Sequence, residues 1–316
     1  MRIAELDASD LAARLAAPGL RMATGPFVAE VRTDIDILFE GIRVLYADFT
    51  VAEVADFADF HMTFGRPRSL RRWFYPQVCF LFDDQSPFQP LPLNQAPAMF
   101  EWCFNWCISS CANQYLIVHA AAVERDGYAA ILPGPPGSGK STLCAALVDR
   151  GWRLLTDELV LVSMETGHVI ALARPIALKN HAIELIGSFV SGAVFGPECR
   201  DTLKGRVAHL RPPTTSVVRA SEPAKPAWLV FPKYSGERVA GARPVPKGQA
   251  FMRLAASAFN YTLHGANGFA TLSSMIDRMA CYDFEYSSLD EAVDWFDNLK
   301  RLNDPMAGDE RGSFDS

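Results

Sequence analysis

The chain has no run of about 18 or more uninterrupted apolar residues, so no membrane-spanning helix is expected. It has no excess of basic charge. Thirty Lys and Arg stand against 36 Asp and Glu, a net charge of −6. That balance argues against a nucleic-acid binder. The N-terminus lacks the basic-then-apolar layout of a secretory signal, because acids and arginines are mixed through it. Cysteine is sparse and odd in number, seven in 316 residues, which fits reduced thiols better than a disulfide framework. These features point to a cytoplasmic protein. There is no internal repeat and no long low-complexity tract. At 49% hydrophobic residues the chain can bury a sizeable core, as two domains or one large one.

Residues 5–17 read as a short amphipathic helix closed by Pro18-Gly19. From Gly25 to about Leu93 the alternation of apolar and polar residues predicts an antiparallel sheet of several short strands. A Pro-rich connector follows, and then an apolar helix over 97–114. Cys103, Cys107 and Cys111 recur every four residues on it. Eight residues of helix span about 12 Å. Thiolates on one zinc lie about 2.3 Å from the metal, so the outer two cannot share it. They are expected to pack as small core residues. The aromatic cluster Trp73-Phe74-Tyr75 is read as core or contact surface.

A second lobe opens with two strands, YLIVHAAAVE and YAAILPG, joined by a turn at Arg125-Asp126-Gly127. The strongest motif follows: Gly134, Pro135, Pro136, Gly137, Ser138, Gly139, Lys140, Ser141, Thr142. It satisfies G-x-x-x-x-G-K-[ST] in full, with an apolar strand before it and an amphipathic helix after it. Glycines there let the backbone wrap a phosphate, and amide N–H groups face the anion. Lys140 would reach the outer phosphates, and Ser141 would ligate Mg²⁺. The helix should end before Gly151, in a left-handed position.

Asp157-Glu158 lies only 17 residues after Lys140, at the end of the short strand WRLLT. If that strand runs parallel to YAAIL, its carboxyl end shares a sheet edge with the loop. Asp157 would then stand near the γ-phosphate. The bland alternative is an acidic turn between WRLLT and LVLVS. His119, near the end of YLIV, is a third candidate. Arg174, Lys179, Lys204, Arg206 and Arg211 form a basic stretch that would suit clamps on a phosphoryl group, with Arg206 the preferred single residue. A solvated loop is the competing reading. Glu184 is a weaker carboxylate candidate, more in keeping with an exposed helix position. AWLVFPKY reads as a strand; QAFMRLAASAFNYTL and LDEAVDWFDNLKRL read as helices, ahead of a polar tail.

His119-Ala-Ala-Ala-Val, GPPGSGKST and RGWRLLTDELVLV together resemble the catalytic domain of HPr kinase/phosphorylase. More closely, the stretch of about 115–300 resembles the HPr-kinase-related kinases found beside bacterial peptide-modification systems. RPIALKN, KGRVAHLRPP, FPKY, FNY and the CY…YSSLDEA stretch fit that group too. The resemblance implies an α/β fold, with a P-loop kinase domain of the HPr kinase/PEP carboxykinase-like type over 115–306. An N-terminal β-rich lobe over 1–114 precedes it, and a tail over 307–316 follows. It implies ATP and Mg²⁺, with the metal held by Ser141, Asp157 and Glu158. Asp157, Lys140, His119 and Arg206 are the expected catalytic set. The implied reaction moves the γ-phosphate to a Ser or Thr hydroxyl of a peptide or small protein. Peptide-modification enzymes or a peptide chaperone are the implied partners, with no nucleic acid and no membrane. Two rivals stand beside this: a small-molecule kinase with the same loop, and a non-catalytic nucleotide-binding subunit. A homo-oligomer is compatible with the sequence. Two departures stand out. The family's usual Asp-Asp is here Asp157-Glu158, and no glycine-rich HPr-docking signature follows residue 180.

Overall fold

A computed structural model describes residues 1–53, 57–67, 74–236 and 241–299. Trp73, the polar tail and the last residues of the C-terminal helix expected from LDEAVDWFDNLKRL lie outside the described residues.

The N-terminal part begins with α1, Ala8–Ala16, capped by the Asp7 carboxylate accepting from the Asp10 amide. Strands β1 (Leu20–Thr24) and β2 (Phe27–Thr33) form a hairpin. The chain then departs from the expected run of strands. Ile35, Leu38, Ile42 and Leu45 are buried at spacings of three and four, and residues Asp36–Leu45 form the helix α2. That helix is a crossover, so β2 pairs β3 (Phe60–Gly65) in parallel. The sheet expected to be antiparallel is therefore mixed. β4 (Gln77–Phe82) and β5 (Leu91–Pro92) complete it. Helix α3, Ala96–Cys111, packs against this sheet through Phe100, Cys103, Phe104 and Cys107. Cys111 is exposed rather than in the core. Phe74 and Tyr75 are exposed as well.

The second part is built on β6 (Tyr115–Arg125), β7 (Tyr128–Pro133), α4 (Lys140–Asp149), β8 (Arg153–Thr156) and β9 (Leu159–Ser163). Asp126 and Gly127 both have positive φ, as the tight β6–β7 hairpin requires. Gly151 follows α4 with φ +93°. Next come β10 (Val169–Ile170), β11 (Ile176–Lys179), α5 (His181–Phe189), β12 (Cys199–Thr202), β13 (Gly205–Leu210) and α6 (Thr214–Val218). KGRVAHL is thus mostly a strand rather than a solvated loop. β14 (Lys225–Tyr234), β15 (Gly241–Pro244), α7 (Lys247–Ala256), α8 (Tyr261–Asp277), β16 (Ala280–Tyr286) and α9 (Leu289–Asp297) end the described chain.

The main sheet runs β10-β9-β6-β7-β14-β16-β15, with β8 also on β6; β7, β14 and β16 are mutually parallel. Helices α4 and α9 and the small sheet β11-β13-β12 cover one face, and α7 and α8 cover the other. The expected single helix over QAFMRLAASAFNYTL is broken. Residues 257–260 lie along β6 instead: the His119 amide donates to the Ser257 carbonyl at 2.8 Å, and Asn260 Oδ1 accepts from the Ile117 amide at 2.9 Å. Buried Asn260 satisfies strand edge groups that a continuous helix would leave unpaired. The core of the N-terminal part also takes in Ile117, Leu159 and Leu161 from the main sheet and Leu172 from the segment after β10. Among the described residues, no helix is long and apolar enough to cross a membrane.

One buried ion pair ties α3 to the segment before β11. Arg174 donates to Glu101 Oε2 at 2.5 Å and to Asn105 Oδ1 at 2.5 Å, and the Tyr46 hydroxyl donates to Glu101 Oε1 at 2.7 Å. Arg174 is 6% and Glu101 6% exposed, so neither charge can fall back on water. Breaking such a pair from one side leaves an uncompensated buried charge. Arg174→Ala is expected to cost about 3–5 kcal/mol, read as a fall in the denaturant midpoint.

Candidate active site

Strands β8 and β9 both pair antiparallel to β6, one after the other. β6 is also antiparallel to β7, so β8 runs in the same direction as β7 with one strand between them. The carboxyl ends of β7 and β8 therefore share an edge, as the spacing of the motifs required. Asp157-Glu158 is not a reversing turn. It is a bend in one strand path along β6, just past a register shift. The bend places two consecutive carboxylates where their charges bear on Lys140 of the glycine-rich loop.

That loop spans 134–139 between β7 and α4. Gly139 caps α4 with φ +93°, and an added Cβ would sit 2.5 Å from the Tyr286 hydroxyl. A Cβ on Gly134 would sit 2.8 Å from Ser138 Oγ. The loop is also held from outside: the Tyr234 amide donates to the Ser138 carbonyl at 3.2 Å, and the Tyr286 hydroxyl to the Gly139 carbonyl at 3.3 Å. Gly139→Ala is expected to destabilise the protein by about 1–3 kcal/mol through backbone strain, visible in thermal unfolding.

Lys140 lies at the start of α4 and is 8% exposed. Its ammonium curls back over the loop, donating to the Gly134 carbonyl at 2.6 Å and the Pro135 carbonyl at 3.2 Å. Burial pulls its pKa down, and the charges of Asp157 and Glu158 partly restore it. Asp157 is buried, with Oδ2 accepting from the Ala177 amide at 2.9 Å. Its Oδ1 is buried and without a partner among the described residues, as is Ser138 Oγ. Burial, then the Glu158 charge, pushes the Asp157 carboxyl up to about 7; Ala177 and the neighbouring Ser141 hydroxyl pull the other way. His119 places Nδ1 3.2 Å from the Glu158 carbonyl. Burial holds its ring below the usual histidine range, against the pull of Glu158.

The structure thus brings together Gly134 to Thr142, Asp157, Glu158 and His119. It does not bring in Arg206. That guanidinium is engaged by Glu198 at 2.9 Å and Glu184 at 2.5 Å. It sits next to Val207, which faces a cavity, and strand alternation puts the two on opposite faces. Glu184 is exposed and serves Arg206. Arg211 binds Asp48 at 2.5 Å, and Arg174 is committed to Glu101. Lys179 is the basic residue that does reach the site: its charge bears on Asp157, Lys140 and His119. It makes no side-chain hydrogen bond or ion pair among the described residues. The alternation in IALK could have singled it out, since Ile176 and Leu178 face the core and Lys179 the other way.

A cavity of about 370 Å³ opens beside the two carboxylates, between α3 and the β11–β13 sheet. Glu158 Oε2 is within 3.4 Å of Asn105 Nδ2 on α3, so the ion-pair network of the N-terminal part reaches this site.

No protein-family model matches the chain. An 86-residue stretch, 27% of the chain, is 33% identical to HPr kinase/phosphorylase from Prosthecochloris aestuarii. Over that stretch the chain is similar to HPr kinase/phosphorylase. The match spans a quarter of that relative's length. Among solved structures, the Hpr(Ser) kinase/phosphatase from Coxiella burnetii aligns over 57% of this chain and 95% of its own, at 12% identity. Its TM-score is 0.26, too loose a superposition to bear on the fold. The similarity rests on that sequence stretch, and the site geometry above is this chain's own.

Proposed function

We propose that this protein is an ATP-dependent phosphotransferase that moves the γ-phosphate to a Ser or Thr hydroxyl of a peptide or small protein. The observation that carries this is the unpartnered, buried Oδ1 of Asp157, whose carboxylate bears on the charge of Lys140 in the glycine-rich loop. Buried carboxylate oxygens are normally satisfied, and one left open marks a place for a ligand.

The loop amides and the N-terminus of α4 cradle the phosphates. Lys140 leaves the Gly134 and Pro135 carbonyls to neutralise charge on the outer phosphates. Asp157 orients the acceptor hydroxyl and receives its proton. The acceptor oxygen bonds to the γ-phosphorus as the bond to the β–γ bridging oxygen breaks, and that electron pair leaves with ADP. Lys179, without a side-chain hydrogen bond or ion pair among the described residues, balances charge beside Asp157.

Ser141, Asp157 and Glu158 are the residues that would hold Mg²⁺. The set fits a hard cation, being oxygen only and including the open Oδ1. Among the described residues no cluster of three or more His, Cys, Asp or Glu forms a metal cage. That suits an ion that takes its remaining ligands from phosphate and water. When bound, it supplies positive charge at the β- and γ-phosphates.

The test is transfer from γ-labelled ATP to a panel of peptides and metabolites. Label is expected in hydroxyl peptides. ATP binding without label in any acceptor would favour a non-catalytic nucleotide-binding subunit.

A further inference from the structure

We propose that the cavity between α3 and the β11–β13 sheet is the acceptor site, and that it takes a peptide whose Ser or Thr is flanked by a large apolar residue. This rests on the phosphotransferase reading above and names its substrate class.

The position of the cavity is the first argument. Thr156, Asp157 and Glu158 line it, so an acceptor inside it has its hydroxyl at the carboxylates. The composition of its wall is the second. Ala98, Met99, Leu172, Pro175 and Val207 make most of the surface apolar. Set among them are polar groups with nothing to bond. Asp157 Oδ1 has no partner, and neither Lys179 Nζ nor the ring of buried His209 has one among the described residues. A protein core does not leave such groups open; a ligand cavity with apolar walls and a few convergent polar groups does. At about 370 Å³ it lies within the range of ligand-binding cavities, roughly 300–1,000 Å³. It has room for more than a hydroxymethyl group.

The rim says what kind of molecule enters. Leu203, at the tip of the β12–β13 hairpin, is fully exposed, and Trp102 on α3 is 46% exposed. Both line the opening. Large apolar side chains left in water around a cavity mouth suit an acceptor that continues past the mouth, as a peptide does and a metabolite does not. Lys179 and Lys204 line the cavity together with the carboxylates of Asp157 and Glu158, so its polar wall carries both signs.

In the transfer, the peptide oxygen gains the γ-phosphoryl group. The bridging P–O bond breaks toward ADP, and the hydroxyl proton passes to Asp157. The neighbouring apolar side chain holds the peptide without entering the chemistry.

The test begins with calorimetry of Mg-ATP binding on the full chain. The same preparation then labels a Ser/Thr peptide library, randomised at the flanking positions, from γ-labelled ATP. Leu, Met or Phe is expected to be enriched about tenfold at one flanking position, the discrimination an apolar pocket gives for a few methylenes. Ala98→Phe fills the wall and is expected to shift that position to Ala or Gly. Leu203→Ser, at a site too exposed to affect folding, is expected to raise KM for the selected peptides with kcat unchanged. Flat enrichment, label only in free hydroxy metabolites, or an unchanged profile in both variants overturns the proposal. Absence of Mg-ATP uptake overturns the phosphotransferase reading itself, and the acceptor site falls with it.

Discussion

Lys140→Ala is expected to abolish phosphoryl transfer and to weaken Mg-ATP binding by at least about a hundredfold, the cost of removing one well-placed charge donor. The ammonium is already desolvated: it is 8% exposed and held against the Gly134 and Pro135 carbonyls. Its charge can therefore act at short range in a poorly screened place. The exchange of two carbonyl bonds for phosphate contacts is a local swing of one side chain. Alanine cannot make it, and no other cation replaces it. Lys179 lies on the Asp157 side, while Arg174 and Arg206 are held by Glu101, Glu184 and Glu198. Arginine at 140 is not expected to rescue, because its planar fork does not fit where a compact ammonium sits between two carbonyls. Binding calorimetry and single-turnover transfer separate the two losses.

Asp157→Asn is expected to lower transfer by about 10²–10⁴, the range for a positioned acid-base group. It is also expected to stabilise the metal-free protein at pH 8. The Asp157 carboxyl titrates near 7 when folded, above its ordinary 3.8, chiefly because it is buried. Between those values the folded chain holds a proton that the unfolded chain has lost, so stability falls as pH rises through the window. Asparagine carries no such proton. In chelator, the variant should melt at a higher temperature than the parent at pH 8, and the gap should vanish near pH 4. Glu158→Gln removes a charge that raises the Asp157 pKa, so in that variant the fall in stability should end at lower pH and be smaller. An activity loss together with a stability gain marks a residue placed for chemistry at the expense of folding. A merely structural Asp157 would lose stability on substitution.

The glycine-rich loop, its helix and the bend at Asp157 were legible because each depends on local sequence. A strand, a phosphate-type turn and a helix follow one another within residues 128–149, and the acid comes one short strand later. The shared edge of β7 and β8 followed from chain direction alone. Helix α2 was hidden because DIDILFEGIRVL offers enough alternation to pass for a strand; buried Ile35, Leu38, Ile42 and Leu45 show the helical period. Missing it also missed the parallel β2–β3 pairing that a crossover imposes. The basic stretch misled in the opposite way. Arg174, Arg206 and Arg211 look alike in sequence, but Arg174 and Arg211 are bound by acids 73 and 163 residues away and Arg206 by Glu198 and Glu184, 8 and 22 residues away on other elements. Lys179, without a side-chain hydrogen bond or ion pair among the described residues, differs from them in lying on the short strand IALK, where alternation turns it away from the core. The cavity was equally out of reach, since α3 and β13 meet there from about 100 residues apart.

The central claim is that the loop at 134–142 takes a nucleotide's terminal phosphates with Asp157 facing them. Calorimetric titration of ATP into the full chain, with magnesium and with chelator, tests it most directly. Magnesium-dependent uptake that disappears in Lys140→Ala is the expected result; no uptake, or uptake indifferent to Lys140, would contradict it.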